Sequence, residues 1–595
     1  MSQATPLRYE WNTTPWRLLE RGVYKLQKRI YRASQRGDVR QVHRLQRLLL
    51  ASKAARYLAV RRVTQDNRGK KTAGVDGKTA LTPTARTALV TTLVLTTPPR
   101  PTRRVWIPKP GKTEKRPLGI PVIADRARQA LVKLALEPEW EAKFEPNSYG
   151  FRPGRSCHDA IAAIFNAIRL KPVYVLDADI AGCFDNINHH ALLQKLATSA
   201  SLRRLIRAWL KAGIMDGQVY AATEQGTPQG GVLSPLLANI ALHGLEDETK
   251  TALFDDLKTH HRRTYARRDG RERLRGTLAI IRYADDFVIL HENLTIVQKA
   301  QEYVAQWLAT IGLELKDTKT KLCHTLHTTG AQPAGFDFLG FTVRQYAVGR
   351  HIRKDGSGFK TLITPSKKAL HTHLKAIKET LRKLRGVAQE AVMKALNPVI
   401  RGWGQYYRTC VVHKTFSTAD HEMHQKLWRW ATFRHSHKGT RWIKRRYFRP
   451  YGGETWRFQT PDGRVLLHHQ DLAIVRHIKV KDRRSPFDGD WLYWAARTGR
   501  NPLLPPRVAR LLKRQHGICI HCGWYFATDS LLEVHHVDHH HKNDRADNLQ
   551  LVHGHCHDDI HGKGRNIKPC ITEEPYDSKE SRTVLKPSRD GDISA

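Results

Sequence analysis

The sequence predicts a multidomain protein of mixed α and β structure, on three observations. The chain has 595 residues, more than a single hydrophobic core usually serves. Aspartates follow or interrupt short apolar, β-like runs in its middle third, whereas its first 60 residues and residues 366–408 show helical periodicity. Near the C-terminus, three cysteines stand among histidines, a clustering that indicates a metal site rather than disulfides.

Charge is the most uneven feature of the composition. The chain has 101 Lys and Arg against 55 Asp and Glu, a formal net charge of +46 that is spread along its whole length. Such an excess is typical of extended contact with a phosphate backbone. No apolar run approaches the length of about 18 residues that spans a membrane, and no signal peptide is evident. We therefore expect a soluble, intracellular protein without a membrane partner.

The first 60 residues predict a basic helical pair. Apolar residues recur at helical spacing from Leu19 to Ile30 and from Val42 to Leu49, and Gly37 separates the two stripes. Lysines and arginines lie between the apolar positions. The pair suits binding of RNA or DNA, with a merely solvated basic face as the alternative.

Residues 102–121 predict a basic β-hairpin. Two short β-like pieces flank a Pro-Gly turn, with Lys109 and Arg116 on either side of it. Cationic side chains on such a hairpin can neutralise a nucleoside triphosphate. A helix at 125–143 and a loop at 147–155 are predicted to follow.

Residues 281–290 read I-R-Y-A-D-D-F-V-I-L and predict two strands joined by a tight turn that carries Asp285 and Asp286. Adjacent carboxylates between apolar runs are costly unless a cation neutralises them, and Mg²⁺ binds through carboxylate oxygens and substrate phosphates. The stretch indicates a polymerase-type metal site, against the alternative of an ordinary hairpin with solvated acids.

A strand predicted at 173–176 leads into Asp177 and Asp179, which share one face by the two-residue period of a strand. Nucleotidyl transfer uses two metal ions about 3.5–4 Å apart, held by carboxylates from different elements. Asp179 and Asp285, with Asp286 alongside, are predicted to hold two Mg²⁺ ions.

Two further residues are predicted on the substrate side. Phe184 would close over the sugar of the incoming nucleotide and exclude a 2′-hydroxyl. Residues 226–239, rich in Gly and Pro, predict a turn that brings backbone close to a ligand and then a helix. Gln229, in that turn, joins Lys109 and Arg116 in the predicted dNTP site.

The rest of the chain is predicted to be mainly helical and basic. A helix is expected at 295–311, and residues 366–408 form a basic helical stretch. Residues 415–500 interleave Trp with Arg and His, which suits nucleic-acid binding by stacking and charge. The arginine-rich linker 258–276 predicts a surface loop in contact with phosphate.

The C-terminal cysteines predict a zinc site. Cys519-x₂-Cys522 is followed about thirty residues later by His553-x₂-Cys556, and four soft ligands in two paired turns suit a closed tetrahedral Zn²⁺. A purely structural zinc knuckle is the alternative to a nuclease here. The four scattered cysteines are expected to be buried or inert: Cys157, Cys183, Cys323 and Cys410.

Together these segments resemble a group II intron-encoded protein, a reverse transcriptase and maturase. The motifs occur in the family's order over about residues 10–565; beside Y-A-D-D they are I-P-K-P-G-K-T-E-K-R-P-L-G-I-P (107–121), Y-G-F-R-P-G-R-S (149–156), D-I-A-G-C-F-D-N-I (179–187), G-T-P-Q-G-G-V-L-S-P-L-L-A-N (226–239) and F-D-F-L-G-F (336–341). Ala181 stands where a lysine is common in the family, which leaves every predicted metal ligand intact.

The resemblance implies a right-hand polymerase with fingers and an antiparallel palm sheet, an all-α thumb or maturase domain, and a C-terminal HNH module of the ββα-metal type. The implied divisions are an RNA-binding N-terminal extension (1–78), fingers and palm (79–350), thumb (351–412), a DNA-binding region (413–502), an HNH endonuclease (503–566) and a disordered tail (567–595). It also implies the triad Asp179, Asp285 and Asp286, with Phe184 as the ribose gate.

In the implied HNH module, His535, His557 and His561 would hold one Mg²⁺ or Mn²⁺. His536 would activate water as the general base, and Asn548 would fix the loop that orients it. The zinc ligands keep a structural role, although the family usually has cysteine where His553 stands.

The expected function is RNA-directed DNA synthesis together with help in splicing a group II intron. With the lariat RNA, the protein would copy RNA from a nicked target DNA, using dNTPs, while the HNH module nicks the second strand. The bacterial cytoplasm or nucleoid, or an organelle, is the expected location. The alternatives are a maturase without active polymerase or nuclease, an HNH nuclease that the upstream region merely targets, and a stand-alone reverse transcriptase of another lineage.

Overall fold

The structure is a computed structural model, and it describes residues 10–108, 114–260, 270–349, 358–501, 504–527, 530–541 and 543–561. The N-terminal layer has a 3-10 turn (Trp11–Thr13) and helices α1 (Trp16–Gln35), α2 (Val39–Ala51) and α3 (Lys53–Arg61). The predicted pair is thus three helices. Ser52 accepts a hydrogen bond from the Ala55 N–H (3.5 Å) and begins α3 where the apolar periodicity alone predicted no break.

The middle of the chain alternates helices with the strands of two sheets. Its elements are α4 (Pro83–Thr91), β1 (Thr102–Pro108), β2 (Lys115–Ile120), α5 (Ile123–Lys143), α6 (Cys157–Ile168), β3 (Tyr174–Asp179), α7 (Cys183–Asn186), α8 (His189–Leu196), α9 (Ala200–Leu210), β4 (Ile214–Asp216), β5 (Val219–Ala221), α10 (Ser234–Ala241), α11 (Leu245–Ala252), α12 (Phe254–His260), α13 (Gly270–Thr277), β6 (Ala279–Tyr283), β7 (Asp286–His291), α14 (Leu294–Thr310) and β8 (Lys321–His324).

The first sheet has the order β2-β1-β4-β5, and it contains the predicted basic hairpin as β1 and β2. The second has the order β6-β7-β3-β8 and is antiparallel throughout. Its register sets Asp179, the last residue of β3, opposite Asp286, the first residue of β7. Helix α5 is buried along most of its length, and α1 and α3 pack against it.

The prediction of a surface loop at 258–276 is wrong for the residues that the structure describes there. They belong to α12 and α13, while 261–269 lie outside the described residues. Leu257 and Leu274 are buried, and these apolar anchors give each short helix a side to pack in spite of the many arginines around them.

A small sheet leads from the palm to a helical region. The elements are β9 (Phe336–Phe338), β10 (Phe341–Ala347), β11 (Phe359–Pro365), α15 (Lys367–Lys383), α16 (Gln389–Tyr407), α17 (His413–Arg434), α18 (Thr440–Tyr447), β12 (Phe448–Tyr451) and β13 (Glu454–Phe458). One hydrophobic core runs through it, from Ile377 in α15 to Met423 in α17 and Phe458 in β13. This core takes residues from both sides of the predicted boundary at residue 412.

The C-terminal part holds α19 (Trp491–Gly499), α20 (Pro506–Arg514), β14 (Leu532–His536), β15 (Leu549–His553) and α21 (Gly554–His561). β14 and β15 form an antiparallel pair, and α21 packs on both strands. Across the described ranges, no helix is both long and apolar enough to cross a membrane. Of the scattered cysteines, Cys157, Cys183 and Cys323 are buried free thiols and Cys410 is half-buried, and burial raises the pKa of all four, which supports the prediction that they are inert.

Candidate metal centres

The acidic hairpin is built by a tight turn between β6 and β7. Ala284 and Asp285 are the turn residues, and Ala284 adopts the left-handed conformation (φ 59°), which is disfavoured for a residue with a Cβ. The loop at 147–155 packs closely against this turn. A Cβ on Gly150 would lie 2.3 Å from the Ala284 nitrogen, so only glycine permits the approach.

A buried arginine ties the turn to its surroundings. Arg282 is completely buried in β6, and its guanidinium donates to Asn239 Oδ1 (3.1 Å), the Ala284 carbonyl (3.1 Å) and Ser148 Oγ (2.7 Å). Asn239 in turn donates to the Gly150 carbonyl (2.8 Å). This network joins two separate segments of the chain, the loop at 147–155 and helix α10, to the backbone on which Asp285 stands.

Three carboxylates converge at one end of the second sheet, β6-β7-β3-β8. Asp179 faces Asp286 across β3 and β7, and Asp285 precedes Asp286 in the turn. Burial raises the pKa of Asp285 and Asp286, and repulsion from neighbouring carboxylates adds to it, bringing the pKa of Asp286 to about 7. The ammonium of Lys319 contacts Asp179 Oδ2 and offsets part of this negative charge.

The structure describes Arg116 and Phe184, both of which are predicted on the substrate side. Arg116 on β2 is exposed, and its positive charge offsets a small part of the rise in the pKa of Asp285 that burial causes. Phe184 lies in the short helix α7, which follows β3, and meets the Phe151 ring edge-on, with centroids 6.0 Å apart. Lys109 lies outside the described residues.

The Gly- and Pro-rich turn contacts both β2 and the short helix α7. The Gln229 carbonyl accepts a hydrogen bond from the Gly119 N–H of β2 (2.7 Å), and its side chain donates to Asp185 Oδ2 (3.4 Å). Gly226 has a φ of +80°, and a Cβ there would lie 2.4 Å from the Asp185 carbonyl oxygen. Gln229 is thus placed between the basic hairpin and the helix α7, which carries Phe184.

The four predicted zinc ligands come together in the C-terminal module. The ligand atoms of Cys519, Cys522, His553 and Cys556 all lie within 4.8 Å of one another, and all four residues are buried. His553 Nδ1 is 3.4 Å from the Cys522 sulfur and 3.9 Å from the Cys556 sulfur. The neighbouring Cys522 and Cys556 lower the pKa of Cys519, which favours the thiolate that a zinc ligand must be.

The structure also brings together the three-histidine group, which is His535, His557 and His561. Their ligand atoms lie within 4.8 Å of one another at the junction of β14 and α21. The Glu533 carboxylate contacts His557 Nδ1 at 2.8 Å. A carboxylate on the other ring nitrogen orients a ligand histidine and raises its basicity.

The predicted base and loop residue lie beside that group. His536 Nε2 is 3.4 Å from Asp544 Oδ1, and Asp544 is ion-paired with Arg507 (2.6 Å). Asn548 accepts from the Asp538 N–H (3.0 Å) and donates both to Asp538 Oδ1 (2.8 Å) and to the Asn543 carbonyl (2.8 Å). Asn548 thus holds the loop between β14 and β15 closed.

Sequence reasoning missed four residues of these centres: Arg282, Lys319, Glu533 and Asp544. Two carried a signal that was available. Arg282 is a charge inside an apolar strand, where burial requires partners, and Glu533 is two residues before His535 and so shares its face of β14. Lys319 and Asp544 reach their partners only through loops, and nothing in their local sequence marks them.

Comparisons with known proteins agree with this geometry. Family models match as reverse transcriptase (RNA-dependent DNA polymerase) over 107–343, N-terminal domain of reverse transcriptase over 11–93, group II intron maturase-specific domain over 370–448, and HNH endonuclease over 519–563. Protein YkfC of Escherichia coli is 32% identical over 323 residues, which cover 50% of this chain and 82% of that protein.

The chain belongs to the group II intron reverse transcriptase and maturase family. The Group II intron-encoded protein LtrA of Lactococcus lactis is 32% identical over 322 residues, covering 45% of this chain and 51% of LtrA. An uncharacterised 91 kDa protein in the cob intron of Schizosaccharomyces pombe is 30% identical over 356 residues, covering 52% of this chain and 43% of that protein. The chain thus spans only about half the length of these two relatives. The resemblance inferred from the motifs is confirmed, as is the mixed α/β fold of fingers and palm type.

Proposed function

We propose that this chain is an RNA-directed DNA polymerase whose two Mg²⁺ ions are held by Asp179, Asp285 and Asp286. The observation that carries the proposal is the pairing of Asp179 with Asp286 across two antiparallel strands, with Asp285 in the adjoining turn. Carboxylates from two elements of the fold, held at one place, are what two-metal nucleotidyl transfer needs.

The residues present fit such ions. Three carboxylates share this site, where burial and then their mutual repulsion raise the pKa of two of them, so a divalent cation would relieve a charge that the fold concentrates. Lys319 supplies one positive charge to Asp179 in the absence of an ion. Bound ions would lower the pKa of the primer 3′-hydroxyl and neutralise the departing pyrophosphate.

The surrounding side chains would position the nucleotide. Arg116 would pair with its triphosphate, and Lys109 is proposed to do the same from the sequence alone. Phe184 would stack beneath the sugar and exclude a 2′-hydroxyl, while Gln229 would hold the nucleotide between palm and fingers. Arg282, which does not face the substrate, would keep Asp285 in place.

We further propose that the C-terminal module nicks DNA. Cys519, Cys522, His553 and Cys556 would hold a structural Zn²⁺, since four buried soft ligands leave no position open. The three-histidine group would hold Mg²⁺ or Mn²⁺ with positions left for the scissile phosphate. His536 would take a proton from the attacking water, with Asp544 stabilising the imidazolium that forms.

Primer extension and plasmid nicking by the same protein preparations test both proposals. Asp285→Asn should abolish extension of a DNA primer on an RNA template and leave nicking unchanged, whereas His536→Ala should do the reverse. Each variant thereby controls for the folding of the other. Asp317→Asn, the same change at an exposed carboxylate near Lys319, should affect neither activity. A wild-type protein that extends no primer would leave a maturase without polymerase activity as the better reading.

Binding of intron RNA and target DNA is proposed for the basic surfaces of the thumb and the residues that follow it. The ammonium of Lys444 lies 4.1 Å from the Trp456 ring centroid and the Arg385 guanidinium 4.5 Å from that of Phe433, and both rings are exposed. Exposed aromatics next to cations can stack bases and pair with phosphates. A steep linear fall of log affinity with log salt is expected for the intron RNA, and a shallow slope would contradict extended phosphate contact.

In this proposal the protein assists splicing of its intron, remains bound to the lariat RNA, and copies that RNA from a nicked DNA end with dNTPs. The compartment would be one that holds both RNA and target DNA, the bacterial cytoplasm or an organelle.

A further inference from the structure

The loop after β14 brings a fourth imidazole to the three-histidine group. The ring centroid of His539 lies 5.4 Å from that of His535 and 5.2 Å from that of His561. The centroids within the group itself are 4.4 to 5.7 Å apart. His539 is therefore as close to two members of the group as those members are to one another.

The backbone keeps His539 at this place. Its N–H donates to the His536 carbonyl (3.0 Å), which closes a turn directly after β14. The φ of His539 is 56°, a left-handed conformation that a residue with a Cβ adopts only when its surroundings impose it. Backbone strain of this kind clusters at functional sites. His541, two residues on, contacts the ring of His536 instead.

The His539 side chain stands just outside the group. Its ring nitrogens are not among the atoms that lie within 4.8 Å of one another. The side chain is exposed, and exposed side chains change rotamer within nanoseconds. Rotation about its own side-chain bonds, with no shift of the backbone, would bring a ring nitrogen toward an ion held by the three histidines.

We propose that His539 is a displaceable fourth ligand of the nuclease ion. Three protein ligands leave at least one coordination position open for phosphate or water, and a fourth imidazole would fill one such position. Without DNA, His539 fills that position, and the scissile phosphate takes it over when DNA binds. The ion would thereby be held by four imidazoles, with the position of the scissile phosphate occupied, until substrate arrives. This inference rests on the proposed three-histidine ion site.

Zinc release from the full-length protein tests the proposal without relying on activity. Protein loaded with Zn²⁺ is mixed with an excess of a chromogenic chelator, and release is followed by absorbance. The buried Cys₃His site should release slowly and the three-histidine site rapidly. His539→Ala should accelerate the rapid phase by at least about 10-fold, the lower bound for losing even a group that supports a metal ligand, and leave the slow phase unchanged.

The effect should depend on DNA. With a saturating short DNA duplex, wild type and His539→Ala should release the rapid-phase zinc at equal rates, because a phosphate occupies the position in both. His540→Ala is the matched control, since His540 is the exposed neighbour whose N–H is bound to Asp538 Oδ1 (2.8 Å), and it should behave as wild type. His557→Ala should remove the rapid phase altogether.

The outcomes distinguish failure of the role of His539 from failure of the three-histidine ion site. Two bound zinc ions with a rapid phase that His539→Ala does not change would overturn the role of His539 alone. Faster release from His539→Ala that persists undiminished with DNA would show a permanent ligand and overturn displacement. A wild-type protein that binds only one zinc ion would overturn the three-histidine site, and this inference with it.

Discussion

Replacing Arg282 by methionine should misplace the acidic turn of the polymerase site. Methionine keeps much of the length and apolar body of the side chain but donates no hydrogen bond. Asn239 Oδ1, the Ala284 carbonyl and Ser148 Oγ would each lose a buried donor. Glu145 would also lose a cation. Burial by itself would raise the Glu145 pKa, but hydrogen bonding to His243 and the charge of Arg282 hold it at about 2.

The structure sets the size of the effect. A buried polar group left without its partner costs about 1–3 kcal/mol. Three such groups would destabilise the turn by roughly 3 kcal/mol at the lower bound. A larger cost would be partly offset, because the substitution also removes a buried charge that is itself costly. Since about 1.4 kcal/mol is a factor of ten, the turn would leave its native position about 100-fold more often. Misplacement of a catalytic group by about 1 Å can itself cost about 100-fold in rate.

Two measurements check this reasoning. The single-turnover rate of primer extension at saturating Mg²⁺ should fall by about two orders of magnitude, as argued above. Hydrogen exchange of the amides in β6 and β7 should become faster. Arg344→Met in β10 is the matched control, because that guanidinium lies over the Tyr346 ring (4.8 Å) and away from the carboxylates, so its loss should change neither measurement. Extension by Arg282→Met within threefold of wild type, with unchanged exchange, would refute the role assigned to Arg282.

Three further outcomes follow from the two centres. Because the pKa of Asp286 is raised to about 7, protons compete with Mg²⁺ for this carboxylate near neutrality. The rate of primer extension at subsaturating Mg²⁺ should therefore rise with pH up to about 7 and then level off, and excess Mg²⁺ should flatten this pH profile. A flat profile at low Mg²⁺ would contradict competition between protons and Mg²⁺. Glu533→Gln should lower the affinity of the three-histidine group for its ion about 10–100-fold, because it removes the carboxylate that contacts His557. Calorimetry measures this affinity, and unchanged primer extension is the control. Cys556→Ser should lower the zinc content by one ion per chain and abolish nicking, whereas retention of both ions would argue against the Cys₃His site.

Short-range patterns were sufficient for much of the fold. The short apolar runs on either side of Asp285 and Asp286 predicted a hairpin, and the structure contains it as β6 and β7. The helices at 295–311 and after residue 366 were likewise predicted from periodicity. The linker at 258–276 was predicted wrongly because its abundant arginines hid Leu274, which anchors α13, while Leu257, which anchors α12, lies just before the linker.

In the candidate sites, too, local sequence patterns predicted some residues and not others. The residue types and spacings in Y-A-D-D, C-x₂-C and H-x₂-C name which side chains could bind metal, and their assignment as ligands stays a prediction. The supporting residues could not be predicted in the same way. Arg282 finds Ser148 at a separation of 134 residues and Lys319 finds Asp179 at 140, and no local pattern encodes such partners.

By itself, the sequence determined the chemistry available to this protein: carboxylates in a tight turn, soft ligands in paired knuckles, and a large excess of cations. These properties are local, because they depend on residue type and on spacings of a few residues. Only the tertiary structure decided that Asp179 faces Asp286, that buried Arg282 holds the turn between β6 and β7, and that His539 stands beside the three-histidine group. Those placements depend on strand register and on burial, which the packing of distant segments sets and which no short stretch of sequence contains.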